Sequence, residues 1–220
     1  MQTEQSSFSS RLRDATRTDH TEAETSSFIS DLMQGERTGG DYVLLLAQYR
    51  PIYAALESAA ARHRSNPAVA GLFDEKLDRL ASIDADLPKL AEWAGLPAVP
   101  AIVPATQAYA DRIEAVGNDT DPARLLAHHY LRYLGDLSGG QAIGKLVARH
   151  YGPPADAMSM WHFESIPKPK VYKDGYRDLL DAFGDAAQRD AVVEEAISGF
   201  RLNRDMFVEL DGISRAAVPA

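Results

Sequence analysis

The sequence predicts an all-α fold. Alternating β-branched and aromatic runs are missing, and no Asn-Gly or Asp-Gly turn links two apolar runs. Apolar residues instead recur at three- and four-residue intervals along almost the whole chain, and the interruptions are short Gly and Pro clusters. The first helix is predicted from Ser9 to Gln34, with Gly35 as its terminator. A second runs from Asp41, read as an N-cap after Gly39-Gly40, to Arg64, with Pro51 bending it. A third spans Asp74 to Trp93, carrying Leu77, Leu80, Ile83, Leu87 and Leu90 on one face.

From Leu96 to Pro104, three prolines forbid a continuous helix, and the apolar residues between them predict a strap lying over the surface. A helix from Ala105 to Val116 follows. Asp121-Pro122 then reads as an N-cap and N1 pair for a long glycine-broken helix ending near Tyr151. An irregular stretch reaches Pro169, and two more helices cover Lys170 to Phe183 and Asp185 to Leu210. The breaks are too short and too apolar to part independent cores, so residues 1–220 are expected to form a single-domain helical bundle with flexible tails at 1–8 and 212–220.

The composition, 45% hydrophobic and 25% charged, is that of an ordinary globular protein. The longest obvious apolar run, Val43 to Ala47, is far too short to span a bilayer, and the first residues lack the basic flank and apolar stretch of a secretory signal. A cytoplasmic protein with no membrane association is expected. The chain has no cysteine, which excludes disulfides, thiolate metal sites, iron–sulfur clusters and a cysteine nucleophile. Any transition metal must be held by His, Asp or Glu. The net charge of −9 argues against nucleic acid as a partner, although Lys168, Lys170, Lys173 and Arg177 form a local basic group.

Two features carry chemistry. On the first helix, Arg13, Arg17, His20 and Glu24 follow at intervals of four, three and four residues and share one face. An imidazole that binds a metal needs a partner for its other ring nitrogen, and Glu24 stands one turn away to supply it. A single helical histidine is far more often a surface or core residue than a ligand, which is also the plainer reading of His63, His150 and His162. His128 and His129 are adjacent, so their side chains point about 100° apart and cannot serve one centre. The second feature is Gly135, Gly139 and Gly140, three glycines within six residues of a helix where each costs about 0.8–1.0 kcal/mol relative to alanine. They serve either close helix packing or a flat ligand lying on bare backbone. Asp136, an acid inside this apolar pattern, favours a polar pocket. A di-iron bundle would need Glu-x-x-His pairs, and none exists; a zinc-protease His-Glu-x-x-His is also absent. Haem held by one histidine survives that elimination.

The run Arg132-Tyr133-Leu134-Gly135-Asp136-Leu137-Ser138-Gly139-Gly140-Gln141 resembles the signature of the haem oxygenase family. His20 with Glu24, Pro104-Ala105-Thr106 with Tyr109, and Lys170-Val171-Tyr172-Lys173 with Tyr176-Arg177 are similar to the same family in the same order. The resemblance implies an all-α domain with haem between a proximal helix and a kinked distal helix, His20 as the iron ligand, and Gly135, Asp136, Gly139 and Gly140 on the distal side. Asp136 would anchor a distal water network, and Arg13, Tyr130, Lys173 and Arg177 would lie near the haem propionates. Arg13 departs from the family, where lysine is more usual.

The implied activity is opening of haem, both substrate and cofactor, to biliverdin, carbon monoxide and ferrous iron with dioxygen. No flavin or nicotinamide motif is present, so electrons must come from a ferredoxin or a reductase. The chain is expected to act as a monomer. The rivals are a haem carrier or sensor without turnover, and a thiaminase-like helical hydrolase, which would need the cysteine this chain lacks.

Overall fold

The computed structural model describes residues 7–216, and no strand occurs among them. Nine α-helices lie among the described residues: α1 (Phe8–Glu24), α2 (Ser27–Gln34), α3 (Gly39–His63), α4 (Leu80–Trp93), α5 (Pro104–Gly117), α6 (Ala123–His129), α7 (Gln141–Tyr151), α8 (Pro169–Ala182) and α9 (Ala186–Ala216). Two π-helical segments, Tyr130–Leu134 and Asp136–Gly140, join α6 to α7 without interruption.

The centre of the molecule is α3. Residues 42–49 are all buried, as are Ile52, Tyr53, Leu56 and Ala59, so apolar side chains surround this helix on every side and other helices cover it. Its start is fixed by a capping box in which Thr38 Oγ1 accepts from Asp41 N at 3.2 Å and Asp41 accepts from Thr38 N at 2.9 Å. Thr38 is thus the N-cap and Asp41 the third helical residue, a correction to the sequence reading. Pro51 lies inside the helix as expected.

The first predicted helix is two helices. Thr25 Oγ1 donates to Thr21 O at 2.8 Å and Ser26 Oγ to Ala23 O at 2.9 Å, so hydroxyls take carbonyls at the end of α1 and the chain turns before α2. Gly35, left-handed at φ 79°, ends α2 as predicted. The third predicted helix also divides. Asp74 caps a 3₁₀ turn at Glu75–Leu77, and α4 begins only where the Glu57 carboxylate accepts Arg79 N and Leu80 N at 2.5 and 2.7 Å.

The predicted strap is held by one buried side chain. Gln48 donates to Ala101 O and accepts from Val103 N and Thr106 Oγ1, which ties the extended segment to α3 and sets the start of α5. Flexible tails at 1–8 and 212–220 are corrected where those residues are described. Phe8 is buried in the core, and α9 continues to Ala216 with Arg37 donating to Ser214 at 2.9 Å; residues 1–6 and 217–220 lie outside the described part.

Candidate haem cleft

One face of α1 is apolar, with Phe8, Leu12, Thr16 and Ala23 buried. The other carries Arg13, Arg17, His20 and Glu24, and all four line a cleft of about 930 Å³ between α1 and the π-helical segment. Exposed ion pairs fasten α1 to α9, Arg201 to Asp19 at 3.0 Å and Arg204 to Glu22 at 2.6 Å. His20 is half exposed. Its Nδ1 lies 3.3 Å from Glu24 Oε2, its ring sits edge-on to Phe200, and Nε2 has no protein partner among the described residues.

The opposite wall is helix backbone. Gly135 and Gly139 are right-handed and exposed, and a methyl added to either would meet nothing within 4 Å. The predicted break is therefore a widening into π turns, and these two glycines are needed for an open surface rather than for an unusual φ. Gly140 differs: a methyl there would lie 3.0 Å from Trp161 Cζ3. The packing reading of the glycines holds for Gly140 and the open-backbone reading for Gly135 and Gly139.

Behind this wall lies a buried polar group. Asp136 accepts a hydrogen bond from the Tyr53 hydroxyl, which accepts from Arg132 Nη2 at 3.0 Å and Nε at 3.2 Å, while Arg132 Nη1 donates to Asn203 Oδ1 at 3.1 Å. The Arg132 guanidinium also covers the Tyr49 ring, 4.2 Å from its centroid. Burial pushes the Asp136 carboxyl above the ordinary range, against the opposing pull of Arg132 and Tyr53. Burial likewise raises the Tyr53 phenol, which keeps its proton. Tyr109, from the Pro104-Ala105-Thr106 segment, is fully buried with its hydroxyl unpartnered.

At the mouth, Arg13, Tyr130 and Arg177 line the cleft together. Lys173 stands apart from that wall, because its Nζ donates to Leu137 O at 3.3 Å and Ser138 Oγ at 3.0 Å. Sequence reading missed Tyr49, Tyr53, Arg132 as a functional group, Trp161, Phe200 and Asn203. Arg132 had a signal, since it precedes Asp136 by four residues and shares its face. The others come from α3, α9 and the turn at Ser159–Trp161, far along the chain.

Of the remaining histidines, His128 and His129 serve the core. His128 Nε2 pairs with the buried Glu195 carboxylate at 2.9 Å, which also accepts from Arg112 Nε at 2.8 Å. Burial alone would raise the Glu195 carboxyl, but hydrogen bonds from His128 and Arg112 outweigh it and hold it at about 2. His129 Nδ1 meets the Tyr176 hydroxyl at 3.0 Å, and burial, helped by the Arg64 charge, lowers its pKa from 6.5 to about 3. Between those values the unfolded chain binds a proton that the folded chain refuses. Stability is therefore expected to fall as pH drops from 6.5 towards 3, by at most about 1.4 kcal/mol per unit from this residue. Urea midpoints across that window should change more steeply in the parent than in His129→Phe, and parallel curves would remove His129 as the cause.

A helical fold with a cleft walled by the His20 imidazole, whose Nε2 has no partner among the described residues, and by side-chain-free backbone opposite is built to hold a flat macrocycle. The Heme oxygenase family model matches residues 6–209. The curated "Heme oxygenase 1" of Bos taurus is 36% identical over 213 residues, covering 94% of this chain and 72% of its own. The chain belongs to the heme oxygenase family. Among solved structures it is similar to heme oxygenase-1 of the cyanobacterium Synechocystis in complex with heme, with a TM-score of 0.85 and 29% identity over 96% of this chain and 95% of that one. Heme oxygenase-2 of Synechocystis in complex with heme and NO gives a TM-score of 0.86 and 30% identity over 97% and 88%. No described helix is long and apolar enough to cross a membrane.

Proposed function

We propose that this chain opens haem at a meso carbon to biliverdin, carbon monoxide and ferrous iron, using dioxygen and electrons from a ferredoxin or reductase. The observation that carries this is the pairing, across one cleft, of a histidine whose Nε2 is free with two glycines that leave bare backbone opposite. The residues present fit the group: a cleft of about 930 Å³ is within the range of pockets that enclose ligands of this size, and cations stand at its mouth. Bound haem supplies the iron at which dioxygen is reduced and is itself the macrocycle that is opened.

The chain's own residues do the rest. His20 would offer Nε2 to the iron, and Glu24, 3.3 Å from Nδ1, stands where it can orient the ring. Gly135 and Gly139 would let the macrocycle approach peptide groups with no side chain between them. Asp136, with its carboxyl raised by burial, holds and passes the proton the reaction consumes, and Tyr53 and Arg132 fix that carboxyl in place. Arg13 and Arg177 would pair with the propionates, with Tyr130 beside them, and Lys173 supports this edge by holding α8 to the distal segment. The same reading has the chain act as a cytoplasmic monomer, its donor docking on the basic residues between Lys168 and Arg177.

The test is single turnover with hemin, ascorbate and oxygen. Loss of the Soret band, a new far-red band and a product with the mass of biliverdin are expected. A Soret band that persists would make the chain a carrier, and failure to take up hemin would remove the haem reading altogether.

A further inference from the structure

Trp161 belongs to the segment that sequence analysis left irregular, yet its indole lines the cleft and sits beneath the distal helix. It fills the space that two glycines leave open. A methyl on Gly140 would lie 3.0 and 3.1 Å from Trp161 Cζ3 and Cε3, and one on Gly144 would lie 2.8 and 2.9 Å from Cγ and Cβ. Gly144 is buried and does not line the cleft. Its closest contacts are with the root of the Trp161 side chain, which cannot swing aside without moving its backbone.

That backbone is held in turn. Asp86, fully buried on α4, accepts from Ser159 Oγ and Met160 N, both at 2.8 Å, and so pins the turn that carries the tryptophan. The indole N–H donates to the Tyr42 hydroxyl at 2.9 Å, and Tyr42 stands on the central helix α3. Ring, turn and acceptor together fix the height of the indole from three directions. A helix that packs on such a surface through glycines has its own height set by it.

We propose that Trp161 is the positioning residue of the distal wall: by filling the space at Gly140 and Gly144 it sets how far Gly135 and Gly139 stand from α1, and so the thickness of the cleft and the seating of the macrocycle. This rests on the haem reading above. It gives Gly140 a role through Trp161 rather than through the ligand, unlike Gly139, whose added methyl would enter the open cleft.

A double-variant cycle tests it. Hemin affinity is measured by absorbance titration and seating by the ratio of biliverdin isomers, in the full chain and in Gly140→Ala, Trp161→Leu and the two combined. Gly140→Ala should weaken hemin binding at least fivefold and shift the isomer ratio. The combination should bind within about twofold of Trp161→Leu alone, because the added methyl then has room. Gly139→Ala should weaken binding by the same factor whether or not Trp161 is replaced. If the leucine variant does not fold, Trp161→Phe replaces it in the cycle, since it withdraws the ring atoms that face Gly140. Gly144→Ala should shift the isomer ratio although it touches no ligand, an effect that lost stability alone would not produce. Independent, multiplying losses for Gly140 and Trp161, or an isomer ratio unmoved by Gly144→Ala, would overturn the proposal. Failure of the parent chain to bind hemin would instead overturn the haem reading.

Discussion

Alanine at position 20 is expected to leave the apo chain folded and to remove histidine-ligated haem. His20 is half exposed, with its ring against Phe200 and Glu24, so the cost to stability should stay within about 0.5 kcal/mol, as for a surface substitution. The functional loss should be far larger. Changing an outer partner of a metal ligand typically costs about 10–100-fold, so Glu24→Gln is expected within that range and His20→Ala beyond it. Resonance Raman of the ferrous complex is the direct check: the iron–nitrogen stretch should vanish in His20→Ala and shift in Glu24→Gln. An unchanged stretch in the alanine variant would refute the ligand assignment.

The second large effect is expected at Asp136. Asp136→Ala should take up hemin with an affinity close to that of the parent, since the carboxylate stands behind the wall rather than at the mouth, but biliverdin formation should fall by roughly 10²–10⁴-fold, the range for loss of a placed proton donor. The variant also leaves the Tyr53 hydroxyl without its acceptor and Arg132 without a neighbouring negative charge, for a stability loss of about 1–3 kcal/mol. Asp136→Asn separates the two effects, because an amide oxygen can still accept from Tyr53 while the group no longer titrates. It should recover much of the stability and little of the rate. Biliverdin formation at the parent rate in either variant would overturn the role.

Helix content and order were legible because burial here follows a 3.6-residue period and caps are written in short polar residues. Three of the boundaries that moved share one cause. At Thr25-Ser26, Thr38 and Glu57, side-chain oxygens took over backbone groups that the apolar pattern assigned to the helix, and such competition has no periodic signature. The site divides in the same manner. His20, Glu24, Gly135, Asp136 and Gly139 lie on two stretches whose spacing brings them together, so reading along the chain finds them. Tyr49, Asn203 and Trp161 reach the cleft from three other parts of the chain, and only packing unites them. Lys173 shows the converse, since a matching motif position placed it with Arg177 although its ammonium turns to the Leu137 carbonyl instead.

The attachments of α9 differ at its two neighbours. Towards α1 it reaches through Arg201 and Arg204, guanidinium groups in contact with solvent, whereas towards the distal segment it reaches through Asn203 and Glu195, both buried. Dissolved ions screen the first kind of tether and barely touch the second. The jaws of the binding slot are thus unequally sensitive to electrolyte: added salt weakens the solvent-facing ion pairs on the histidine-bearing side, beside the apolar packing of Phe8, Leu12 and Ala23, and leaves the buried pairs on the proton-handling side as they are.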